Sequence, residues 1–124
     1  MKAKEVHVYF SDDANAMYKE LQHRALEQKK QGVENSFEMQ LLKAIDREIN
    51  NLKINPQKGL PIRRSYISRQ VVQRYGTNKL WKIELVSFWR LIYTLTGDEV
   101  KIITFILEIM NHKKYDKIFG WKGK

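Results

Sequence analysis

The spacing of hydrophobic positions changes twice along the chain and divides it into three parts. From Glu5 to Phe10, apolar and polar side chains alternate, which is typical of a short half-buried strand. From Ser11 to Leu52 the apolar positions recur every three or four residues, the period of helices with one buried face. From Leu80 to Met110, alternation and short apolar runs predict further strands.

Two antiparallel helices are predicted in the first half. Ser11 is a suitable N-cap for the first helix, and Gly32 ends it. The second helix begins near Asn35, where Glu38 completes a capping pair, and it ends before Pro56. Because the connection is short, each helix is expected to cover a flat surface beside the other. The apolar stripes contain Ala14, Met17, Tyr18, Leu21 and Ala25 in the first helix, and Phe37, Leu41, Ile45, Ile49 and Leu52 in the second.

The pattern leaves residues 57–78 open between a loop, favoured by Gly59 and Pro61, and a short basic helix within Tyr66–Tyr75. Three antiparallel strands and a short C-terminal helix are predicted after this segment. We therefore expect one α+β domain over residues 1–124, with the strands and last helix at Leu80–Leu85, Trp89–Thr96, Lys101–Met110 and Asn111–Gly120.

Polar side chains are expected to gather on one face of the predicted sheet. Strand side chains alternate between faces, and Trp81 and Leu91 belong to the apolar set that the helices would cover. Thr104 and Glu108 are four residues apart and are expected to point the same way. The alternative is an ordinary solvated face, which antiparallel sheets commonly have. The open face would carry Lys82, Glu84, Arg90 and Glu108.

Charge adds a second signal, because most of the formal net charge of +9 lies in one stretch. No acidic residue occurs between Ile49 and Ile83. A local positive block suits a polyanionic partner, since each cation near a phosphate releases condensed counterions. The alternative is a basic face that maintains solubility. The block contains Lys53, Lys58, Arg63, Arg64, Arg69, Arg74, Lys79 and Lys82.

Several classes of protein are excluded or disfavoured by what the sequence lacks. Without cysteine there can be no disulfide or thiolate metal site, and His7, His23 and His112 have no ligand spacing, so no metal or cofactor is expected. No glycine-rich nucleotide motif is present, and no small-molecule ligand is expected. Residues 1–10 do not form a signal peptide and no apolar stretch is long enough to span a bilayer, so we expect a cytoplasmic protein without a membrane partner.

Three segments resemble the RelE/ParE-type toxins. They are LWKIELVSFWRLIY at Leu80–Tyr93, the strand at Ile102–Ile109 and HKKYDKIF at His112–Phe119, and the loop from Asn55 to Pro61 is also similar. The resemblance implies a RelE-like fold, in which an N-terminal strand and a two-helix hairpin pack on an antiparallel sheet (β-α-α-β-β-β) with a short C-terminal helix. Residues 62–78 resemble a basic insertion relative to compact members.

The resemblance implies the toxin of a toxin-antitoxin pair, held inactive by a small cognate antitoxin. RelE-like members cut mRNA on the ribosome without a metal, whereas ParE-like members inhibit DNA gyrase and are not nucleases. The fold serves both activities. We expect the first, a ribosome-associated, metal-independent mRNA endonuclease that inhibits translation. The alternatives are a gyrase inhibitor and an RNA-binding member that has lost catalysis.

Five residues are candidates for catalysis through the same resemblance. Arg90 and Lys82 match family cations and would stabilise charge on the phosphate. His112 stands where the family has an arginine or histidine, and an imidazole can gain or lose a proton near neutral pH. Tyr115 matches a tyrosine that stacks on a base or assists proton transfer. Glu84 departs from the family, which often has a second lysine there, so it is either a base or a charge-balancing residue.

Each of these residues also has a structural alternative: an ion pair for Arg90, a solvated side chain for Lys82 and His112, and a packing anchor for Tyr115. Tyr66 and Tyr75 are candidates for contact with RNA bases. The remaining cations near the site are expected to bind the RNA backbone, and these are Arg63, Arg64, Arg69, Arg74, Lys79, Lys113 and Lys114.

Overall fold

The structure, a computed structural model, describes residues 4–120 and contains a five-stranded sheet with helices on both faces. Within this range no helix is long and apolar enough to cross a membrane. The elements are β1 Glu5–Phe10, α1 Asp12–Lys30, α2 Phe37–Ile54, β2 Leu60–Pro61, a 3-10 turn at Arg64–Tyr66, α3 Arg69–Tyr75, β3 Trp81–Glu84, a second such turn at Val86–Phe88, β4 Arg90–Gly97, β5 Lys101–Met110 and α4 His112–Phe119.

The strands lie in the order β1-β5-β4-β3-β2. The three strands predicted for the second half are antiparallel neighbours, and β1 adds to them in parallel beside β5. The predicted β-α-α-β-β-β order is therefore present, with the two-residue edge strand β2 and the helix α3 added. Of the two possibilities for the middle segment, the short basic helix forms, over Arg69–Tyr75.

Helices α1 and α2 cover one face of the sheet and enclose the larger core. Ser11 caps α1 as predicted, since its Oγ accepts a hydrogen bond from the Ala14 N–H. For α2 the predicted cap at Asn35 is wrong by one residue, because Ser36 accepts the equivalent bond from the Met39 N–H. The predicted apolar face of the sheet packs here; the core includes Leu21, Leu41, Ile45, Leu52, Ile83, Leu91, Tyr93 and Ile106, with Trp81 against it.

The opposite face of the sheet is only partly open, which corrects the expectation of one open face. A second, smaller core lies there beneath α3 and α4, because Ile92 on β4 and Met110 on β5 are apolar and point away from α1 and α2. The open remainder lies next to this core, around Lys82 and Arg90. The buried members of the second core are Ile62, Val71, Leu80, Ile92, Met110, Tyr115 and Phe119.

A β-bulge in β5 overturns the prediction that Thr104 and Glu108 share a face. Glu108 pairs with Ile92, whereas Ile106 pairs with Tyr93, so Leu107 is an extra residue on this strand. One extra residue moves every later side chain to the other face. Thr104 therefore lies on the α1–α2 side, opposite Leu95, and Glu108 lies under α3 and α4.

The loop after α2 is fastened to the sheet by Tyr93. Its hydroxyl accepts a hydrogen bond from the Gly59 N–H at 2.9 Å and donates one to the Pro56 carbonyl at 3.0 Å. A Cβ at Gly59 would lie 2.6 Å from that hydroxyl and 2.8 Å from the Lys82 carbonyl oxygen. Only glycine fits so close to β3. The loop is therefore held against the edge of the sheet, next to the backbone of Lys82.

Candidate functional site

Four of the five predicted catalytic residues line one depression of about 450 Å³ between β3, β4 and the start of α4. Lys82 enters it from β3 and Arg90 from β4, because both lie on the face away from α1 and α2. His112 and Tyr115 enter from α4, where positions three apart share a helix face. We call this space the central depression; its lining is Lys82, Phe88, Arg90, His112, Tyr115 and Asp116.

Tyr115 is buried at the base of the central depression, and two cations lie over its ring. The Arg90 guanidinium carbon is 4.4 Å from the ring centroid, and the Lys82 Nζ is 5.1 Å from it. The negative face of the ring attracts both cations. Burial raises the pKa of the Tyr115 hydroxyl, although the charge of Arg90 opposes the shift. The hydroxyl is therefore protonated near neutral pH.

Arg90 also forms an ion pair with Glu84, its cross-strand neighbour. The Nη2 to Oε1 distance is 3.3 Å, with the Arg90 side chain 15% exposed and that of Glu84 57% exposed. Within residues 4–120 the buried Nη1 of Arg90 has no hydrogen-bond partner. The ion-pair alternative for Arg90 is thus present, and it leaves part of the guanidinium unused. Glu84 lies at the edge of the site and does not line the central depression.

His112 is the first residue of α4 and half of its side chain is exposed. Its Nδ1 lies 3.7 Å from Asp116 Oδ2, one helical turn away. Its ring also meets the edge of the Phe88 ring, with 6.1 Å between the centroids. A carboxylate beside an imidazole can accept a hydrogen bond from the ring and orient it. His112 is thus an accessible acid or base next to two cations.

A second depression of about 380 Å³ adjoins the first and shares Lys82 and Tyr115 with it. Of the residues predicted to bind RNA, Arg63 lines this space. Tyr66, predicted as a base contact, also lines it and is partly exposed. The segment of residues 62–78 therefore brings a cation and an aromatic ring to the same surface as the predicted catalytic residues.

Three further residues that were predicted to bind RNA lie together in a groove of about 640 Å³ between α3 and α4. They are Arg74, Lys113 and Lys114, and Lys117 joins them. This α3–α4 groove is on the opposite side of α4 from the central depression, because positions 113, 114 and 117 face away from 112, 115 and 116. One helix thus separates two basic surfaces.

Glu108 is buried beneath the α3–α4 groove and binds residues from both helices. The Arg74 guanidinium lies 3.0 Å from its Oε1, the Tyr75 hydroxyl donates to the same oxygen at 2.7 Å, and the Lys114 Nζ is 2.6 Å from Oε2. Burial alone would raise the pKa of Glu108, but the contacts with Lys114, Tyr75 and Arg74 lower it. Glu108 therefore links α3, β5 and α4 as a carboxylate.

These contacts change the prediction for Tyr75. Its ring stacks on Phe119 in the second core, 6.3 Å between centroids, and its hydroxyl is bound to Glu108. Burial, followed by the hydrogen bond to Glu108, raises the pKa of that hydroxyl. The expectation that Tyr75 is open to RNA bases is wrong, since its ring is packed against α4. Arg64, Arg69 and Lys79 are exposed but line none of these three spaces.

The lining residues that the sequence analysis did not predict include Phe88, Asp116 and Lys117. Helical spacing from His112 to Asp116 was the available signal for Asp116, and spacing from Lys113 to Lys117 for Lys117. Phe88 gave no signal, because nothing in its neighbourhood predicts a turn with positive φ at a phenylalanine. Within the described range no three His, Asp or Glu side chains converge as metal ligands, and the metal-free site stays a prediction.

The comparisons with known proteins give one informative result. No protein-family model matches the chain, and no curated protein matches it in sequence. Its structure is similar to that of a YoeB/ParE toxin from Agrobacterium tumefaciens, with a TM-score of 0.54 and 14% sequence identity, over 85% of this chain and 96% of that chain. The chain therefore has the α+β fold of the RelE/ParE-type toxins, as its sequence predicted.

Proposed function

We propose that this protein is the toxin of a toxin-antitoxin pair and that it cleaves mRNA on the ribosome at the central depression, without a metal ion. One observation carries the proposal: Lys82, Arg90, His112 and Tyr115 surround a single space. They come from three elements, β3, β4 and α4. Neither of the two cores needs a lysine, an arginine and a histidine side by side at its edge.

The proposed reaction is a transesterification within the RNA chain, in which the phosphorus exchanges its 5′-oxygen for the neighbouring 2′-oxygen. A base removes the proton from the 2′-hydroxyl, the 2′-oxygen attacks the adjacent phosphorus, and the 5′-oxygen leaves with a proton from an acid. His112, oriented by Asp116, performs one of these proton transfers. Glu84 is the available carboxylate for the other, at the edge of the site and paired with Arg90.

Arg90 and Lys82 stabilise the negative charge that develops on the phosphate. Such stabilisation by cations fixed in advance is commonly the largest contribution to catalysis. Tyr115 fixes both through its ring, and the pair with Glu84 does not use all the donors of Arg90. Burial raises the pKa of the Tyr115 hydroxyl, so we assign the role of the base to other residues.

The surrounding cations supply affinity and orientation. Arg63 on the adjoining depression and Arg74, Lys113 and Lys114 on the α3–α4 groove bind the RNA backbone, and the exposed Arg64, Arg69 and Lys79 contribute further positive charge. A cognate antitoxin with an acidic segment covers this basic surface and blocks the site. Translating ribosomes deliver the mRNA, in the cytoplasm.

The test compares cleavage of mRNA on translating ribosomes by the purified protein, by Arg90→Ala and by His112→Ala, each treated with a chelator that is removed before the ribosomes are added. We expect the parent protein to cut, and each variant to lose about 100-fold or more in rate. Lys19→Gln, on the exposed side of α1, is the control and should cut normally. Intact mRNA with the parent protein, or full growth inhibition by both variants, contradicts the proposal.

A gyrase inhibitor is the second candidate, and one observation favours it. The end of the α1–α2 hairpin carries a groove of about 830 Å³ that exposes Leu26 and Val33 to solvent. Apolar side chains in such a place suit a protein partner. DNA supercoiling by gyrase in the presence of the protein separates the two candidates, because only the second depresses supercoiling while mRNA stays intact.

A further inference from the structure

The turn between β3 and β4 has an unusual backbone at two successive residues. Ser87 has a φ of 54° and Phe88 a φ of 63°, in the left-handed region that residues other than glycine rarely adopt. For a bulky residue such as phenylalanine this conformation is a genuine outlier. Such strain persists only where the surroundings enforce it, and it concentrates at functional sites. The backbone is held here by hydrogen bonds between Leu85 and Trp89, and between Val86 and Trp89.

The strained turn sends two neighbouring aromatic rings to different environments. Trp89 packs against the α1–α2 side, with its ring 5.7 Å from that of Phe37. Phe88 instead leaves the core and is 69% exposed, although it is among the most apolar side chains. The fold thus gains little buried surface from Phe88 in return for its backbone strain.

The exposed ring of Phe88 forms part of the wall of the central depression, next to His112 and within the same space as Arg90 and Lys82. In single-stranded RNA each phosphate has a base beside it. A phosphate held by the two cations therefore places a base near the ring. Bases stack on aromatic side chains in most single-strand binding sites, and any base offers a face for it.

We propose that Phe88 is a binding residue on which a base of single-stranded RNA stacks, next to the phosphate held by Arg90 and Lys82. This inference rests on the proposed function, because it assumes that RNA occupies the central depression. The strained turn serves to present the ring. A ring placed there for packing would be buried, and a ring of no use would be replaced at no cost by a residue that relaxes the turn.

The first measurement uses an uncleavable 2′-O-methyl oligoribonucleotide that carries 2-aminopurine, whose fluorescence falls on stacking. We expect Phe88→Ala to bind it about five- to 100-fold more weakly, in line with the loss of one stacked base. Phe88→Trp should retain affinity and quenching, and Phe88→Leu should behave like Phe88→Ala. Tyr9→Ala is the matched control, since Tyr9 is also an exposed ring beside a histidine, on the far edge of the sheet.

The second measurement separates binding from folding by urea unfolding. Phe88→Gly removes the ring and accepts the positive φ, so it should unfold at the same urea concentration as the parent protein or a higher one, while binding as weakly as Phe88→Ala. A structural role for the ring would instead lower the midpoint of both variants.

Two outcomes overturn the inference. If Phe88→Ala binds and quenches as the parent protein does, no base stacks on Phe88, and the proposed function is untouched. If Phe88→Leu keeps full RNA affinity, or if Phe88→Ala binds RNA normally but no longer binds the antitoxin, the ring serves an apolar contact with a protein. The proposed function fails separately, when the parent protein neither binds the oligonucleotide nor cuts mRNA.

Discussion

Arg90 holds its guanidinium carbon 4.4 Å from the centroid of the Tyr115 ring, so that a strand residue and a helix residue position each other. Lys82 lies over the same ring at 5.1 Å. The family resemblance gave Tyr115 a role in base stacking or proton transfer, and the structural alternative was a packing anchor. In the structure its ring packs against both cations, as that alternative describes. Both cations of the proposed active site depend on the ring, and neither needs its hydroxyl.

This arrangement predicts opposite results for two substitutions of Tyr115. Tyr115→Phe keeps the ring and should retain most of the RNA cleavage activity. Tyr115→Leu removes an attraction worth about 0.5–2 kcal/mol for each cation, and should lower cleavage by roughly three- to 30-fold. Single-turnover cleavage rates check this. A loss with Tyr115→Phe as large as that with Tyr115→Leu would show that the hydroxyl, not the ring, is required.

The contacts of Glu108 lead to a prediction of how the stability of the protein changes with pH. Glu108→Gln should lower the free energy of unfolding near pH 7 by about 1–3 kcal/mol, because Arg74, Tyr75 and Lys114 lose a buried carboxylate. The folded-state pKa is below the ordinary value of 4.5, so the carboxylate contributes its full stability above that pH and loses it as the pH falls through the lower, folded-state pKa.

The measurement is urea unfolding of the parent protein and of Glu108→Gln at several pH values. The difference between their free energies of unfolding should be largest near neutral pH and should become smaller in acid. Glu99→Gln is the control, since Glu99 is exposed and has no ion pair within residues 4–120. A gap that is constant with pH would mean that Glu108 contributes through packing alone.

The sequence predicted the strands well because alternation is a local property. It put Lys82 and Arg90 on one face and the first two helices, α1 and α2, on the other, as the structure has them. The face of Glu108 was wrong because a single bulged residue leaves no trace in composition, yet reverses the alternation after it. Ser11, 96 residues away, donates to the carbonyl of the bulged Leu107 at 2.6 Å, and no local pattern contains such a contact.

The second core was missed for a similar reason. The face that carries Arg90 was expected to be open, and only the long-range packing of α3 and α4 shows that Ile92 and Met110 are buried on it. The same packing made Tyr75, a proposed base contact, a half-buried partner of the buried Glu108. Residue types thus supplied the candidate residues, while the shape of the depression around them depends on long-range contacts that no local pattern contains.

The close packing around Gly59 leads to a prediction about stability that also concerns the edge of the proposed active site. Gly59→Ala should lower the free energy of unfolding by about 1–3 kcal/mol, since the new Cβ would crowd the Tyr93 hydroxyl and the Lys82 carbonyl. Cleavage should fall as well, because β3 must move and carries Lys82. Leu60→Ala, at the exposed next residue, should change stability by about 0.5 kcal/mol or less. Thermal unfolding and cleavage rates check both; an unaltered Gly59→Ala protein would contradict the close fit.

The α3–α4 groove predicts a change in the salt dependence of RNA binding. Lys113 and Lys117 form no ion pair within the described residues, so replacing both by glutamine should weaken binding to a single-stranded oligoribonucleotide and reduce the slope of log affinity against log salt by about 0.7 for each lost phosphate contact. Lys19→Gln with Lys29→Gln, on α1, is the control of equal charge and should leave the slope unchanged. If both double variants lower the slope equally, general charge attracts the RNA and the groove holds no part of its backbone.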